Sequence, residues 1–258
     1  MGLFSVASAK GAPGVSIATM ALASTWPTDP LVADIDPAGG DLVWRCRTPD
    51  GDPLENDRGL LSLGAAVRRG AQEADLSEHL QEIGGGIEVL AGLASPTQVS
   101  GLGASWGQLP AVFRAADRDV LADCGRVVPG SAVMPVLNAS DAVLFVVEPT
   151  VEGTAHLRDR LTGLRDQLSL GAPDGVPVGV AVVTSPKDRR SARDLQRLLD
   201  SAGIAAQVLG VLAHDPKAAS VLRGQGSARI ATSLLIRSAA EVGARLQELA
   251  ERRYAGLR

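Results

Sequence analysis

Residues 3–19 read LFSVASAKGAPGVSIAT, and this stretch decides the fold that the sequence predicts. It combines a short apolar strand, a turn that contains Gly11 and Gly14, and a helix that opens at Val15 or Ser16. This order is typical of a phosphate-binding loop, because backbone N–H groups of the turn and of the helix N-terminus converge on an anion. The usual pattern ends in Gly-Lys-Ser/Thr, whereas this one ends in Gly14-Val15-Ser16.

The composition of the 258-residue chain narrows the classes of function. Its formal net charge is −4 and its pI is near 5.4, which argues against a strongly basic nucleic-acid-binding protein. The two cysteines, Cys46 and Cys124, have no metal-binding or redox spacing. No apolar run approaches the roughly 20 residues of a membrane span, and no secretion signal is seen. We therefore expect a reduced, cytoplasmic protein.

Apolar runs of strand length alternate with helical patterns along the chain. The predicted strands are Leu3–Ser8, Leu31–Ile35, Gly86–Ala91, Asp119–Asp123, Ala142–Val147, Val178–Thr184 and Gln207–Leu212. The predicted helices are Val15–Ser24, Leu60–Arg69, Asp75–Ile83, Pro96–Ala104, Leu109–Ala116, Thr154–Leu170, Ser191–Ala202, Pro216–Arg223 and Ile230–Arg253. This alternation predicts a single doubly wound α/β domain over residues 1–258, with a mostly parallel central sheet and helices on both faces.

Polar side chains mark the ends of the first, second and fourth predicted strands. Ser16 follows the first strand, Asp34 and Asp36 end the second, and Asp123 ends the fourth. Ligands of doubly wound folds bind beyond the carboxyl ends of the strands, so these side chains are expected to meet. A hydroxyl and carboxylates at adjacent strand ends suit a hydrated Mg²⁺ ion that bridges phosphate oxygens.

These motifs resemble those of the ParA/MinD group of P-loop ATPases, whose deviant phosphate-binding loop reads Lys-Gly-Gly-x-Gly-Lys-Thr/Ser. Here the loop reads Lys10-Gly11-Ala12-Pro13-Gly14-Val15-Ser16. The family's Asp-x-Asp-Pro-x-Gly motif is similar to Asp34-Ile35-Asp36-Pro37-Ala38-Gly39, and its apolar strand that ends in Asp is similar to Val120-Leu121-Ala122-Asp123. The resemblance continues through Asn138–Pro149 and Leu209–Asp215, and so covers nearly the whole chain.

The resemblance implies a P-loop fold and a role for each matching residue. Lys10 matches the signature lysine that reaches the partner subunit's phosphates in a nucleotide-sandwich dimer, and Asp36 matches the residue that orients the attacking water. These two are the implied catalytic residues. Ser16, Asp34 and Asp123 match residues at Mg²⁺, and the implied cofactor is ATP or ADP with Mg²⁺. The implied nucleotide-binding residues are Gly11, Ala12, Pro13, Gly14, Val15, Ser16 and Ile17.

Two departures from the family pattern bear on activity. Val15 stands where the family has the lysine that pairs with the β and γ phosphates. Such a charge-assisted contact contributes about 1.5–3 kcal/mol, so its loss is expected to cost roughly ten- to a hundredfold in affinity and more in the transition state. The strand Val178–Thr184 is followed by Ser185-Pro186 without the Asn that often reads adenine in the family, which leaves the base specificity open.

The sequence leaves three interpretations of the loop open: an inherited tight turn without a ligand, weak nucleotide binding without efficient hydrolysis, and a working ATPase in which Lys10 replaces the missing lysine. Asp34 and Asp36 also suit a turn or N-cap role. We expect a ParA/MinD-like scaffold or positioning protein with weak or absent ATP hydrolysis. It would recruit or place a protein partner, with pilus or secretion machinery and cell-pole or septum factors as candidates. The alternative is an active, ATP-dependent dimeric switch in partitioning or localisation.

The remaining patterns concern surfaces. An apolar seam on the last helix favours docking on the chain's own sheet over a homodimer or a peripheral membrane contact, and its residues are Leu235, Ala239, Val242, Leu246 and Leu249. Four arginines near one helix start favour a solvated face over nucleic acid, and they are Arg189, Arg190, Arg193 and Arg197. The three histidines are expected on the surface without a role, and they are His79, His156 and His214.

Overall fold

An eight-stranded sheet carries the fold within the part of the chain that this computed structural model describes, which is residues 1–10, 14–70, 74–188, 190–225 and 229–255. Its strands are β1 (Leu3–Ser8), β2 (Leu31–Asp34), β3 (Gln81–Ile83), β4 (Ile87–Leu90), β5 (Val120–Arg126), β6 (Ala142–Val147), β7 (Val178–Thr184) and β8 (Gln207–Ala213). Their order is β3-β4-β2-β5-β1-β6-β7-β8. Every neighbouring pair is parallel except β3 and β4.

Helices cover both faces of this sheet. In the described ranges they are α1 (Val15–Ala23), α2 (Leu42–Arg45), α3 (Leu60–Arg69), α4 (Val99–Leu102), α5 (Leu109–Ala115), α6 (Met134–Ala139), α7 (Val151–Gly163), α8 (Ser191–Ser201), α9 (Pro216–Leu222) and α10 (Leu234–Ala255). One hydrophobic cluster packs α3 and α5 to α8 against one face, and a second packs α1, α2, α9 and α10 against the other. The predicted doubly wound α/β domain with a mostly parallel sheet is confirmed.

The apolar run of β6 follows from its place in the sheet. Val143 and Phe145 face one hydrophobic cluster, and Leu144 and Val146 face the other. A strand buried on both faces has no solvent-facing positions, so its sequence shows no alternation of polar and apolar residues.

Two carboxylates fix the opposite, amino-terminal edge of the sheet. Asp119 accepts hydrogen bonds from the Gly2 backbone N–H at 2.6 Å and from Trp26 Nε1 at 2.8 Å. Asp141 accepts one from the Leu3 N–H at 2.8 Å and pairs with Arg114 at 2.7 Å. These acids join β1 to β5 and β6, and they leave the carboxyl ends of the strands open for a ligand.

The prediction of a helix over Asp75–Ile83 is wrong. A 3₁₀ turn, Leu76–His79, is followed directly by β3, which pairs with β4 as an antiparallel hairpin at the sheet edge. Asp75 accepts a hydrogen bond from the Ser77 N–H at 2.9 Å, which caps the turn, and three successive glycines, residues 84–86, close the hairpin. Pairing with β4 stabilises the extended conformation that local periodicity did not indicate.

Other element bounds differ from the predictions. β5 continues to Arg126, past the expected end at Asp123, and α6 was not predicted. The helix expected over Thr154–Leu170 is α7, which starts earlier because Thr150 accepts a hydrogen bond from the Gly153 N–H at 2.9 Å, and it ends at Gly163.

The apolar seam of α10 docks on the chain's own sheet. Leu235, Ala239, Val242 and Leu246 are buried, and Leu249 packs against the same cluster. The helix starts at Leu234, four residues later than predicted. Since its seam is covered, this face is not available to a second chain or a lipid surface. None of the described helices is both long and apolar enough to cross a bilayer.

Candidate functional site

The predicted phosphate loop leads from the carboxyl end of β1, between β5 and β6, into α1. Gly14 precedes the helix with φ 89° and ψ 46°, a left-handed conformation that favours glycine. The first N–H groups of α1 have no intrahelical acceptor and suit an anion. Gly11, Ala12 and Pro13 lie outside the described residues.

The side chain of Val15 belongs to the hydrophobic core. It is 8 % exposed, as is Ile17, and both pack in the cluster that joins α1 to the sheet. Because a valine offers no charge or hydrogen-bond donor, the first turn of α1 contributes only backbone groups and the Ser16 hydroxyl to a ligand.

Asp34 lies buried at the end of β2, directly opposite Asp123 in the parallel β2–β5 ladder. Its carboxylate accepts hydrogen bonds from the backbone N–H groups of Leu42 at 3.2 Å and Asp36 at 3.4 Å. Asp34 therefore holds the turn that follows β2, which is the turn role that the sequence also allowed.

One carboxylate oxygen of Asp123 accepts no hydrogen bond from the described part of the protein. Its Oδ1 accepts a hydrogen bond from the Gly125 N–H at 3.0 Å, but the buried Oδ2 has no hydrogen-bond partner among the described residues. The Ser16 hydroxyl faces this carboxyl and lowers its pKa, although it does not reach the geometry of a full hydrogen bond. The structure thus brings Ser16, Asp34 and Asp123 together at one edge of the sheet.

The two buried carboxyls hold their protons more tightly than ordinary aspartates. Burial raises the pKa of Asp123 to about 6, and the charges of Asp36 and Asp41 add to the rise. Burial also raises the pKa of Asp34 well above its usual value, and the charge of Asp123 acts in the same direction. Two adjacent buried carboxylates are costly when both are ionised, so the site favours a cation or protons.

The donor set fits a hydrated Mg²⁺ ion rather than a metal held by protein alone. No group of three or more His, Cys, Asp or Glu side chains in the described ranges is arranged to hold a metal ion. The unpartnered Oδ2 of Asp123 and the Ser16 hydroxyl offer hard oxygen ligands. Mg²⁺ commonly takes one or two protein ligands and completes its shell with water and phosphate oxygens.

Asp36 lies half-buried between the turn after β2 and the end of β5. Its Oδ1 accepts a hydrogen bond from the Ala38 N–H at 2.7 Å. Gly125, with φ 58°, faces this carboxyl so closely that a Cβ at position 125 would overlap it. Burial raises the pKa of Asp36, whereas the charge of Arg126 lowers it. The position of Asp36 therefore depends on a glycine in the neighbouring strand.

Gly125→Ala is expected to lower the free energy of unfolding by about 2–4 kcal/mol, because it combines backbone strain with overlap at Asp36. The matched control is Gly130→Ala, which has φ 75° but open space around its Cα and should cost only about 1 kcal/mol. Urea denaturation measures both values. Equal losses in the two variants would show that Gly125 is needed only for its backbone conformation.

Lys10 is exposed but already has a contact within its own chain. Its ammonium Nζ donates to His156 Nε2 at 2.8 Å, and Arg160, one turn further along α7, donates from Nη2 to the Ala9 carbonyl at 3.2 Å. His156 thus has a contact that the sequence did not indicate, whereas the expectation that His79 is on the surface is wrong: it is buried, with Nδ1 2.8 Å from Ser62 Oγ.

A cavity of about 170 Å³ lies beside Gly14 and the first turn of α1. It is lined in part by Ile17, Glu148, Val183 and His214, which come from α1 and from the carboxyl ends of β6, β7 and β8. The cavity therefore adjoins the predicted phosphate loop on the side of α1.

The loop after β7 is organised by an aspartate. Asp188 accepts hydrogen bonds from the backbone N–H groups of Arg190 at 2.9 Å and Ser191 at 3.0 Å, and from Thr184 Oγ1 at 3.1 Å. The Ser191 hydroxyl also donates to this carboxylate, and this hydrogen bond, together with those from the backbone, holds the pKa of Asp188 well below its usual range. Its carboxylate is thus committed to the start of α8 rather than to the cavity.

The fold has clear counterparts among solved structures. The ParA family ATPase from Chlorobium tepidum superposes with a TM-score of 0.71, covering 95% of this chain and 99% of that chain at 16% identity. MinD from Pyrococcus horikoshii, a septum site-determining protein complexed with Mg-ADP, gives 0.68 over 97% and 98% at 16% identity. This chain has the ParA/MinD fold. A putative plasmid partition protein from Borrelia burgdorferi bound to AMPPNP gives 0.69 over 96% and 98% at 12% identity. No protein-family model and no curated protein sequence matches the chain.

The ParA/MinD fold accounts for where the predicted site residues meet. Gly14, Val15, Ser16 and Ile17 form the start of α1, while Asp34, Asp36 and Asp123 lie at the ends of β2 and β5. Lys10 lies against α7, where it contacts His156.

Sequence reasoning missed three contributors to the site, namely Gly125, His156 and Arg160. His156 and Arg160 are four residues apart, a spacing that places them on one helix face, but only the fold shows that this face meets the loop.

Proposed function

We propose that this protein is a ParA/MinD-like positioning protein or scaffold that binds a nucleotide with Mg²⁺ weakly, hydrolyses little or none of it, and recruits a protein partner. The observation that carries this proposal is the buried side chain of Val15 at the position of the family's phosphate-pairing lysine. The acids Asp34, Asp36 and Asp123 are retained at the carboxyl ends of the neighbouring strands β2 and β5. The oxygen ligands for Mg²⁺ are therefore still present, whereas the positive charge that phosphoryl transfer needs at the phosphates is reduced.

In this proposal, each retained residue has a limited task. Ser16 and Asp123 would hold Mg²⁺, with Asp34 fixing the turn behind them, and the backbone of residues 11–17 would hold the phosphates. A bound Mg²⁺–nucleotide would supply a polarised terminal phosphate. Asp36 would accept a hydrogen bond from a water beside that phosphate, but no lysine from α1 would balance the charge there.

The choice of a protein partner has support from the surface around the site. Trp44, Val128 and Val151 are large apolar side chains that are 56%, 38% and 84% exposed. Each follows the carboxyl end of a strand, because α2, the segment after β5 and the start of α7 all lie at that edge. Exposed apolar groups near one edge suit a protein contact. We retain pilus or secretion machinery and cell-pole or septum factors as candidate partners, in the cytoplasm, and we do not expect nucleic acid.

Titration calorimetry of the full-length chain with Mg-ATP and Mg-ADP tests nucleotide binding. We expect saturable binding of both nucleotides in the micromolar to millimolar range that is weakened in Ser16→Ala, which removes a proposed Mg²⁺ ligand without adding bulk. Absence of heat with either nucleotide at millimolar concentration would overturn the proposal and favour an inherited turn without a ligand.

A second candidate function, an ATP-dependent dimeric switch, is favoured by the retained Lys10. It predicts that Mg-ATP doubles the sedimentation mass of the chain from 26.5 kDa and that Lys10→Ala abolishes this change. His156→Ala is the matched control, because it releases the Lys10 ammonium and should preserve the dimer. One unchanging mass with and without ATP would exclude the switch.

A further inference from the structure

Two arginines flank the residues that lead into the phosphate loop. Arg126 pairs with Ser8 in the β1–β5 ladder, where the Val127 N–H donates to the Ser8 carbonyl at 3.0 Å. Arg160 reaches the next residue from α7, with Nη2 3.2 Å from the Ala9 carbonyl. Both arginines therefore lie beside Ser8 and Ala9, the residues that precede Lys10 and the loop.

Both arginines have N–H groups without a hydrogen-bond acceptor among the described residues. Arg160 Nε is buried and has no hydrogen-bond partner, and exposed Arg126 makes no hydrogen bond or ion pair within the described ranges. By contrast, Arg114 and Arg118 are bound by carboxylates. Arg126 also acts electrostatically on Arg160, so two like charges lie near each other, and neither forms an ion pair within the described ranges, an arrangement that favours an anion.

The surroundings of Arg126 indicate which part of a ligand it meets. Its charge acts on Asp36, whose carboxyl lies against Gly125, the residue before Arg126. Asp36 is the residue proposed above to orient a water at the terminal phosphate. A guanidinium that acts on this carboxyl from the residue after Gly125 would lie toward the terminal-phosphate end of a nucleotide, and its planar set of N–H donors matches phosphate oxygens.

We infer that Arg126 supplies, within the same chain, the positive charge that Val15 lacks by binding the terminal phosphate of a nucleoside triphosphate, while Arg160 positions the loop entrance through Ala9. The inference rests on the proposed nucleotide binding. The charge comes from the end of β5 instead of the start of α1. A nucleoside diphosphate has no phosphate at this terminal position. The contact with Arg126 should therefore increase the affinity for a triphosphate but not for a diphosphate.

Titration calorimetry of the full-length chain with Mg-ATP, Mg-ADP and inorganic phosphate tests this contact. Arg126→Ala is expected to weaken Mg-ATP binding about tenfold or more and Mg-ADP binding less than twofold, and Arg126→Lys is expected to retain part of the preference. The matched control is Arg158→Ala, an exposed arginine of α7 that pairs with Asp159 and should change neither affinity. Thermal melting confirms that each variant is folded.

The outcomes separate this inference from the proposed function. If the natural chain binds both nucleotides but Arg126→Ala and Arg126→Lys leave the ATP preference unchanged, Arg126 is not the phosphate contact and nucleotide binding still stands. If inorganic phosphate binding alone is lost in Arg126→Ala, the arginine serves free phosphate and the inference is wrong. If the natural chain binds no nucleotide, the proposed function fails and the inference fails with it.

Discussion

Val15→Lys is expected to raise the affinity for Mg-ATP roughly ten- to a hundredfold and to raise ATP turnover by a larger factor. The substitution places an ammonium at the first turn of α1, next to the retained Ser16 and Asp123. A lysine can bury its stem where Val15 packs and carry its charged end out to the phosphates. Phosphate release and titration calorimetry measure the two effects.

Val15→Met is the matched control for this gain, because it adds length at the same buried position without a charge. Its affinity and turnover should remain those of the natural chain. If Val15→Lys is folded and binds Mg-ATP no better than Val15→Met, the missing charge is not what limits this site, and the loop is a structural turn.

Asp123→Asn is expected to raise the free energy of unfolding by about 3 kcal/mol at pH 8 in metal-free buffer, given a pKa raised from 3.8 to about 6. A folded pKa above the unfolded one means that the native state binds the proton more tightly. This contribution is fully present below pH 3.8 and is lost as the pH rises through about 6. The asparagine never ionises, so the advantage of the variant should grow over the same interval.

Urea denaturation at pH 4 and pH 8 measures this difference, with and without Mg²⁺. Saturating Mg²⁺ should shrink the gain, because a cation stabilises the ionised Asp123 of the natural chain. Asp141→Asn is the control: that buried carboxyl pairs with Arg114, so the variant should lose stability at pH 8. A gain from Asp123→Asn that is the same at both pH values would contradict the buried, uncompensated charge.

Much of the fold could be predicted because its signals are local. The strands Leu3–Ser8 and Ala142–Val147 are buried on both faces. A strand in this position has a continuous apolar sequence, so its place in the sheet could be predicted from its composition. Asp34 and Asp123 could be placed together, since parallel strands bring their carboxyl ends to one edge. Local patterns failed at Gln81–Ile83, a three-residue strand that exists only through pairing with β4.

The rest of the site depends on contacts between distant parts of the chain. Lys10 and His156 are 146 residues apart, and Ala9 and Arg160 are 151 apart. Nothing near His156 in the sequence indicates a neighbour in the loop. Gly125 likewise lacks a local signal, because its need for a hydrogen side chain comes from Asp36, which follows β2. Sequence motifs thus located the acids and Lys10, but not the arginines Arg126 and Arg160 beside β1.

The central claim is that this site binds a nucleotide without turning it over. Phosphate release by the full-length chain, with Mg-ATP saturation verified in the same sample, tests it most directly. We predict a rate that does not exceed that of Asp36→Ala, which removes the carboxyl that would orient a water. Mg²⁺-dependent release that is well above this control and is lost in Asp36→Ala would contradict the claim and identify the protein as a working ATPase.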